Sequence, residues 1–211
     1  TLRLFHHLSE MENVSSVVYA SAGCAVAEKT FDGAAATPED SPVSLWMDSP
    51  YSISKIVGEF YGNYYFRQTS LPFIAARFQN VYGPGEVLGA GSWRGTPATV
   101  WRNVVPTFVY RALRQKEVHL DGGGTATRDF IFVQDIVEGL MACAIRGSAG
   151  QVYNLASGAE TTIRRLAELI LETTNSGSRL VTSPSRPWDR SGQRYGCTKK
   201  SKADLGFEAS V

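Results

Sequence analysis

The sequence predicts an α/β fold, part of a doubly wound parallel sheet joined to a smaller α/β domain. Three observations predict it. Short β-branched or aromatic runs alternate with longer helical stretches. Between Tyr51 and Tyr82 the order is helix then strand, the half-unit that such sheets repeat. The first run, Ser16-Val17-Val18-Tyr19-Ala20, ends in the small residues Ser21-Ala22-Gly23, and ligands bind at the carboxyl ends of parallel strands.

The elements follow in order. Leu2 to Glu12 reads as the tail of a helix, with Leu4, Phe5, Leu8 and Met11 recurring on one side. Ser16–Ala20 is a buried strand. Residues 27–50 read as loop and carry Pro38, Pro42 and Pro50. Pro50 suits the first turn of the next helix, where its missing N–H does no harm. That helix runs from Tyr51 to about Thr69; its aromatics Phe60, Tyr61, Tyr64, Tyr65 and Phe66 read as a packing face, including one for a second subunit. Leu71 to Tyr82 is a strand. Glu86 to Arg102 is a long loop carrying Trp93, Arg94 and Arg102, and loops of that length in compact domains are usually functional. Then come a helix over 103–115, the short strand Val118-His119-Leu120, a glycine turn at 121–124, the strand Asp129–Val133 and a helix over 134–145. The strand Gln151–Leu155 precedes a helix over 162–173 capped by Thr161. Residues 175–194 read as irregular and basic. A last helix, Thr198–Leu205, stops at Gly206.

Composition narrows the function classes. The 211 residues give 43% hydrophobic and 19% charged residues and a formal charge of +1, ordinary for a soluble globular chain. No basic patch points to a nucleic-acid partner, and no apolar run is long enough for a membrane span. Cys24, Cys143 and Cys197 are odd in number and scattered, which fits neither a disulfide framework nor a metal site. Buried free thiols and a reducing, cytoplasmic compartment are expected.

The chemistry centres on Tyr51 and Lys55. Four residues apart on a helix, they share a face. A phenol ionises near pH ~10, and an adjacent ammonium favours the phenolate and lowers that value. The pair is thereby suited to general-base work near neutrality. Such pairs are also common on solvated helices, so the weight comes from the surrounding motifs. These are Ser21 after its strand, Tyr51-x-x-x-Lys55, Arg77-Phe78-Gln79-Asn80-Val81-Tyr82-Gly83-Pro84-Gly85, Thr127-Arg128-Asp129-Phe130-Ile131-Phe132-Val133-Gln134-Asp135, and Tyr153-Asn154-Leu155-Ala156-Ser157-Gly158.

In that order, these motifs resemble the later two-thirds of an extended short-chain dehydrogenase/reductase, of the NAD-dependent nucleotide-sugar epimerase/dehydratase family. The resemblance covers essentially the whole chain. It implies that residues 1–85 are the remaining part of an NAD-binding Rossmann domain. It also implies that 86–211 form a substrate domain, with 129–146 returning to the first. The expected catalytic residues are Ser21, Tyr51 and Lys55. Tyr51 removes a sugar hydroxyl proton while hydride passes to NAD, Lys55 holds the nicotinamide ribose, and Ser21 bonds the same sugar oxygen and relays the proton. Tyr51, Lys55 and Gln79 are expected at the cofactor. Ser21, Asn80, Asn103, Arg128, Arg186 and Asp189 are expected at a nucleotide-diphosphate sugar, a UDP-sugar first among them. The helices at 2–12 and 51–69 are expected to form a homodimer seam.

Two further expectations concern what the sequence lacks. It contains no G-x-x-G-x-x-G, the turn that holds the dinucleotide pyrophosphate in this family. Judged against the ~100–150 residues of a typical domain, roughly the first third of a complete enzyme is expected to be missing, and the chain alone is expected neither to hold NAD properly nor to be active. After Ser21, where 4,6-dehydratases carry an Asp-Glu pair and decarboxylases keep an acid, this chain has Ala22 and Gly23. Neither moves a proton, so epimerisation, at C4, is the expected reaction. The alternatives are a non-catalytic fragment, a homodimer scaffold, or a reductase, dehydratase or decarboxylase of the same superfamily.

Overall fold

In the computed structural model, which describes residues 1–23, 33, 35–43, 50–86, 103–185 and 192–211, the chain divides into two units. The first comprises Thr1–Val81, Asp129–Glu160 and Gly192–Val211; the second comprises Tyr82–Arg128 and Thr161–Ser191.

The first unit opens with helix α1 (Leu2–Ser9), strand β1 (Val17–Ala22), the short strand β2 (Ala36–Thr37), helix α2 (Pro50–Thr69), strand β3 (Phe73–Phe78) and strand β4 (Asn80–Tyr82). Beyond α3 (Val104–Leu113), β5 (Val118–Asp121) and β6 (Thr127–Arg128) of the second unit, it resumes with β7 (Phe130–Phe132), α4 (Val133–Arg146) and β8 (Val152–Leu155). The sheet order is β1-β3-β8, all parallel, with Val17 opposite Phe73 and Ala75 opposite Val152.

Side-chain alternation along the strands shows why the sheet is covered on both faces. Phe73 and Ala75 pack with Phe5 of α1 and Tyr65 of α2, joined by Val17 and Tyr19. Ile74 and Ala76 face the other way, into a cluster with Ile136, Ala142 and Cys143 of α4 and with Tyr153, Leu155, Leu205 and Phe207. That is the doubly wound Rossmann arrangement the sequence predicts. α2 lies unusually close to the sheet. A Cβ at Gly58 would stand 2.1 Å from the Tyr19 Oη, and one at Gly62 2.1 Å from the Phe73 ring. Glycine is what permits both contacts.

In the second unit, β9 (Thr161–Thr162), α5 (Ile163–Thr173) and β10 (Leu180–Ser183) follow. β10 pairs in parallel with β5, and β6 pairs antiparallel with β9. Phe108 and Ala112 of α3 pack with Val118, Leu120, Ala167 and Ile170. The remaining strand β11 (Tyr195–Gly196), which pairs with β2, and helix α6 (Lys199–Leu205) belong to the first unit.

Several details differ from the sequence reading. β1 continues to Ala22, so Ser21 lies inside the strand rather than after it. The strand expected over 71–82 breaks at Gln79 into β3 and β4. Thr162, not Thr161, caps α5, its hydroxyl accepting from the Arg165 N–H at 3.0 Å. The stretch read as irregular, 175–194, contains β10, whose ladder partner β5 supplies the order that its four residues lack alone. Residues 147–160 and 192–211 join the first unit rather than the second. The reason is that β8 completes the sheet beside β3, and α6 with Phe207 fills the core beneath it. Cys143 is fully buried as expected and burial pushes its thiol up to about 12, whereas Cys197 is only half-buried. Cys24 lies outside the described residues. Among the described residues no helix is long and apolar enough to cross a membrane.

Candidate active site

α2 begins at Pro50, and its first turns carry the expected pair. Tyr51 is 57% exposed. The Lys55 Nζ lies 5.5 Å from the centre of the Tyr51 ring and 5.8 Å from that of Tyr19. The same Nζ donates to the Ala20 carbonyl oxygen at 2.8 Å. The ammonium is therefore held at the carboxyl end of β1, between two phenol rings whose faces attract a cation. The Tyr19 hydroxyl donates to the Ser54 carbonyl at 3.3 Å. Its pKa is raised, by burial first and then by the nearby Glu59 carboxylate and Tyr51.

Ser21 does not join this pair. Like Val17 and Tyr19, it points to the α2 side of the sheet, and its Oγ donates to the Glu59 Oε1 at 2.5 Å. Both side chains are deep: Ser21 is 2% exposed and Glu59 2%. Arg77, on the same face of β3, completes the cluster. Its Nε donates to Glu59 Oε1 at 2.9 Å and its Nη2 to Oε2 at 2.8 Å, a two-point ion pair. Its Nη1 donates to the Glu39 backbone carbonyl at 2.9 Å. The Ser21 hydroxyl, expected at the sugar oxygen, faces α2 in this structure, because β1 runs two residues further than predicted and period-two alternation turns it that way.

Gln79, expected at the cofactor, is buried beside the end of β1. A Cβ at Gly23 would lie 2.3 Å from its Nε2, and one at Gly196 2.9 Å. Asn80 hands its backbone N–H to the Asp129 carbonyl at 2.9 Å. Its buried side-chain Oδ1 has no hydrogen-bond partner among the described residues. An acceptor buried in that condition is costly unless something donates to it, so it fits a ligand's hydroxyl or N–H.

In the second unit Asn103 stands at the N-terminus of α3, where its side chain makes no capping bond and its Nδ2 donates to Glu86. Arg128 is half-buried in β6 and its Nη1 donates to the Thr127 carbonyl at 2.5 Å. Arg186, Asp189, Trp93, Arg94 and Arg102 lie outside the described residues. Among the described residues no cluster of His, Cys, Asp or Glu could hold a metal ion.

Sequence reasoning missed Tyr19, Glu59 and Arg77. A signal existed for two of them. Glu59 falls on the α2 face that also carries Ser52 and Ile56, all buried, and Arg77 interrupts an otherwise apolar strand. A carboxylate on one apolar face and a guanidinium on another are each affordable only if they meet.

For a nicotinamide cofactor the residues fit at one end. Lys55 and Tyr51 present a donor and a phenol at a strand end, as ribose hydroxyls and a reacting carbinol require. The pyrophosphate turn has no counterpart in the sequence.

Residues 1–156 match the NAD dependent epimerase/dehydratase family. The crystal structure of the enzyme WbmF from Bordetella bronchiseptica, in complex with NAD+ and UDP, is 53% identical with a TM-score of 0.82, covering 100% of this chain and 59% of that one. UDP-glucose 4-epimerase of Mycolicibacterium smegmatis is 28% identical over 203 residues, 96% of this chain and 60% of the relative. The human dTDP-D-glucose 4,6-dehydratase is 29% identical over 168 residues, 77% of this chain and 44% of the relative. The chain thus spans about half of these relatives' length.

Proposed function

We propose, from the premise that the chain belongs to the NAD dependent epimerase/dehydratase family, that it serves the epimerisation of a nucleotide-diphosphate sugar at C4. The observation that carries this reading is the Tyr51–Lys55 pair, with the Lys55 ammonium pinned to Ala20 beside the Tyr51 ring. NAD, when bound, accepts hydride from the carbinol carbon and returns it. Tyr51 takes the hydroxyl proton and gives it back, the Lys55 charge stabilising the phenolate between the two transfers. Lys55 also donates to the ribose hydroxyls, and Gln79 lines the cofactor side.

Asn80, Asn103, Arg128, Arg186 and Asp189 are proposed to hold the sugar nucleotide. The unpartnered Asn80 Oδ1 supports this for Asn80, and the UDP in the WbmF crystal supports a UDP-sugar. Epimerisation is favoured over elimination because Ala22 and Gly23 bring no acid or base to the strand end. The dehydratase among the relatives supports dehydration as the second reading. Incubation of the full-length enzyme with NAD and UDP-glucose, UDP-galactose and related sugars, followed by proton NMR, separates the two. Interconversion is expected; a keto-deoxy or decarboxylated product alone would overturn the assignment.

Without a glycine-rich turn these 211 residues are proposed to bind NAD weakly by themselves. Calorimetry checks this, tight binding being the contrary result. A homodimer is proposed through α1 and α2, whose Leu2, Leu4, Phe60 and Tyr64 are exposed apolar side chains. Light scattering that returns a clean monomer would count against it.

A further inference from the structure

β1 carries two hydroxyl-bearing side chains, Tyr19 and Ser21, and both spend their protons on α2. Tyr19 donates to the Ser54 carbonyl and Ser21 to Glu59. The next residue, Ala22, has no hydroxyl. We propose that Ser21 is a positioning residue and not a proton relay. With Glu59 and Arg77 it forms a buried clamp that fixes α2 over the end of β1, and Tyr51 exchanges its proton with the substrate without help from this strand. The proposal rests on the reading that Tyr51 and Lys55 are the reacting pair.

The geometry makes the clamp a positioning device. Tyr51, Lys55 and Glu59 fall at i, i+4 and i+8, one line along α2. Glu59 is anchored from two strands at once, by Ser21 of β1 and by both arms of Arg77 on β3. One turn earlier, Lys55 reaches the Ala20 carbonyl, the residue next to Ser21. Sliding or rotating α2 would break the charged contacts at Glu59 and would lift the Lys55 ammonium off the strand end. Arg77 is held in turn by the Glu39 carbonyl, and the Glu39 carboxylate accepts from the Asn154 N–H of β8 at 2.9 Å. The clamp therefore ties Lys55 to all three strands of the sheet.

The test uses the intact protein with NAD and a UDP-sugar. Ser21→Ala is expected to lower the thermal midpoint by about 2–6 °C while kcat stays within about threefold and the pH midpoints of kcat stay in place. Glu59→Gln is expected to lower kcat more than ~10-fold with KM nearly unchanged, and to shift the pH limb that reports Tyr51, because Lys55 is no longer held beside it. Adding Ser21→Ala to Glu59→Gln should lower the midpoint less than it does alone, since the two share one bond. Should Glu59→Gln not fold, Glu59→Met with Arg77→Met removes the clamp without stranding a charge, and the same kinetic change is expected. A Ser21→Ala enzyme with an unchanged thermal midpoint and kcat down by ~10²–10⁴ would overturn the proposal and restore the relay. So would a Glu59→Gln enzyme with unaltered kcat and pH profile. Tyr51→Phe separates the two levels: if it keeps full turnover, the underlying reading fails; if it is inactive while Ser21→Ala is also inactive, only the clamp fails.

Discussion

Tyr51 and Glu59 stand two turns apart on one line of α2, in opposite surroundings. Tyr51 is open to solvent, and its neighbour Lys55 is tethered to a backbone carbonyl. Glu59 is sealed under the helix, holding one hydroxyl and both arms of a guanidinium. The difference separates two jobs that compete when one group must do both. A reacting phenol needs access to substrate and a tunable charge, whereas a clamp needs permanent charge and no water. The helix is short enough between them for the rigid end to set the position of the reactive one.

The comparison breaks most severely at the buried end. Glu59→Ala strands the Arg77 charge in the core and should cost about 3–5 kcal/mol of unfolding free energy in denaturant titration. A loss similar to that of an exposed ion pair would mean that the cluster is wet. Alkaline stability probes both faces of the sheet through one raised group on each, Cys143 on the α4 side and Tyr19 on the α2 side. Cys143 is protonated in the fold up to about pH 12 against an ordinary value of 9.0, so its contribution is complete below pH 9 and is lost as pH rises from there through 12. That loss is on the order of 3–4 kcal/mol. Tyr19 adds to the same fall, its contribution being present below its ordinary value of 10.0 and lost as pH climbs through its raised one. Thermal melts across this range should show the decline, and Cys143→Ala should flatten it; an unchanged slope would deny the burial of that thiol. Gly62→Ala, which drives a methyl into Phe73, should destabilise by about 1–3 kcal/mol. On the opposite, exposed face of α2, Tyr64→Lys should alter monomer stability by no more than about 0.5 kcal/mol while abolishing any self-association by light scattering.

The sheet was legible because each strand and helix carried its own period. Val17-Val18-Tyr19, Phe73 to Phe78 and Val152 to Leu155 needed only their β-branched and aromatic content, and α2 its length. The Tyr51–Lys55 pair was legible because its spacing is local. What stayed hidden is non-local. β10 is ordered by β5, more than fifty residues upstream on its own unit. The direction of the Ser21 hydroxyl depends on where β1 stops, and strand ends are set by the neighbouring strand: Ser21 and Ala22 are held opposite Arg77 and Phe78 of β3. Glu59 and Arg77 were each visible as a charge among apolar neighbours, yet only the packing of α2 on β3 makes them partners. Likewise the return of 147–160 and 192–211 to the first unit follows from a ladder and a shared core, not from composition.

The measurement that bears most directly on the central claim is turnover of UDP-glucose to UDP-galactose by the full-length enzyme carrying Tyr51→Phe beside the unmodified full-length enzyme, each with NAD, with thermal midpoints recorded on the same samples. Loss of the reaction by ~10²-fold or more at an unchanged midpoint is the predicted result. Undiminished turnover would contradict the assignment of Tyr51 as the group that takes the proton.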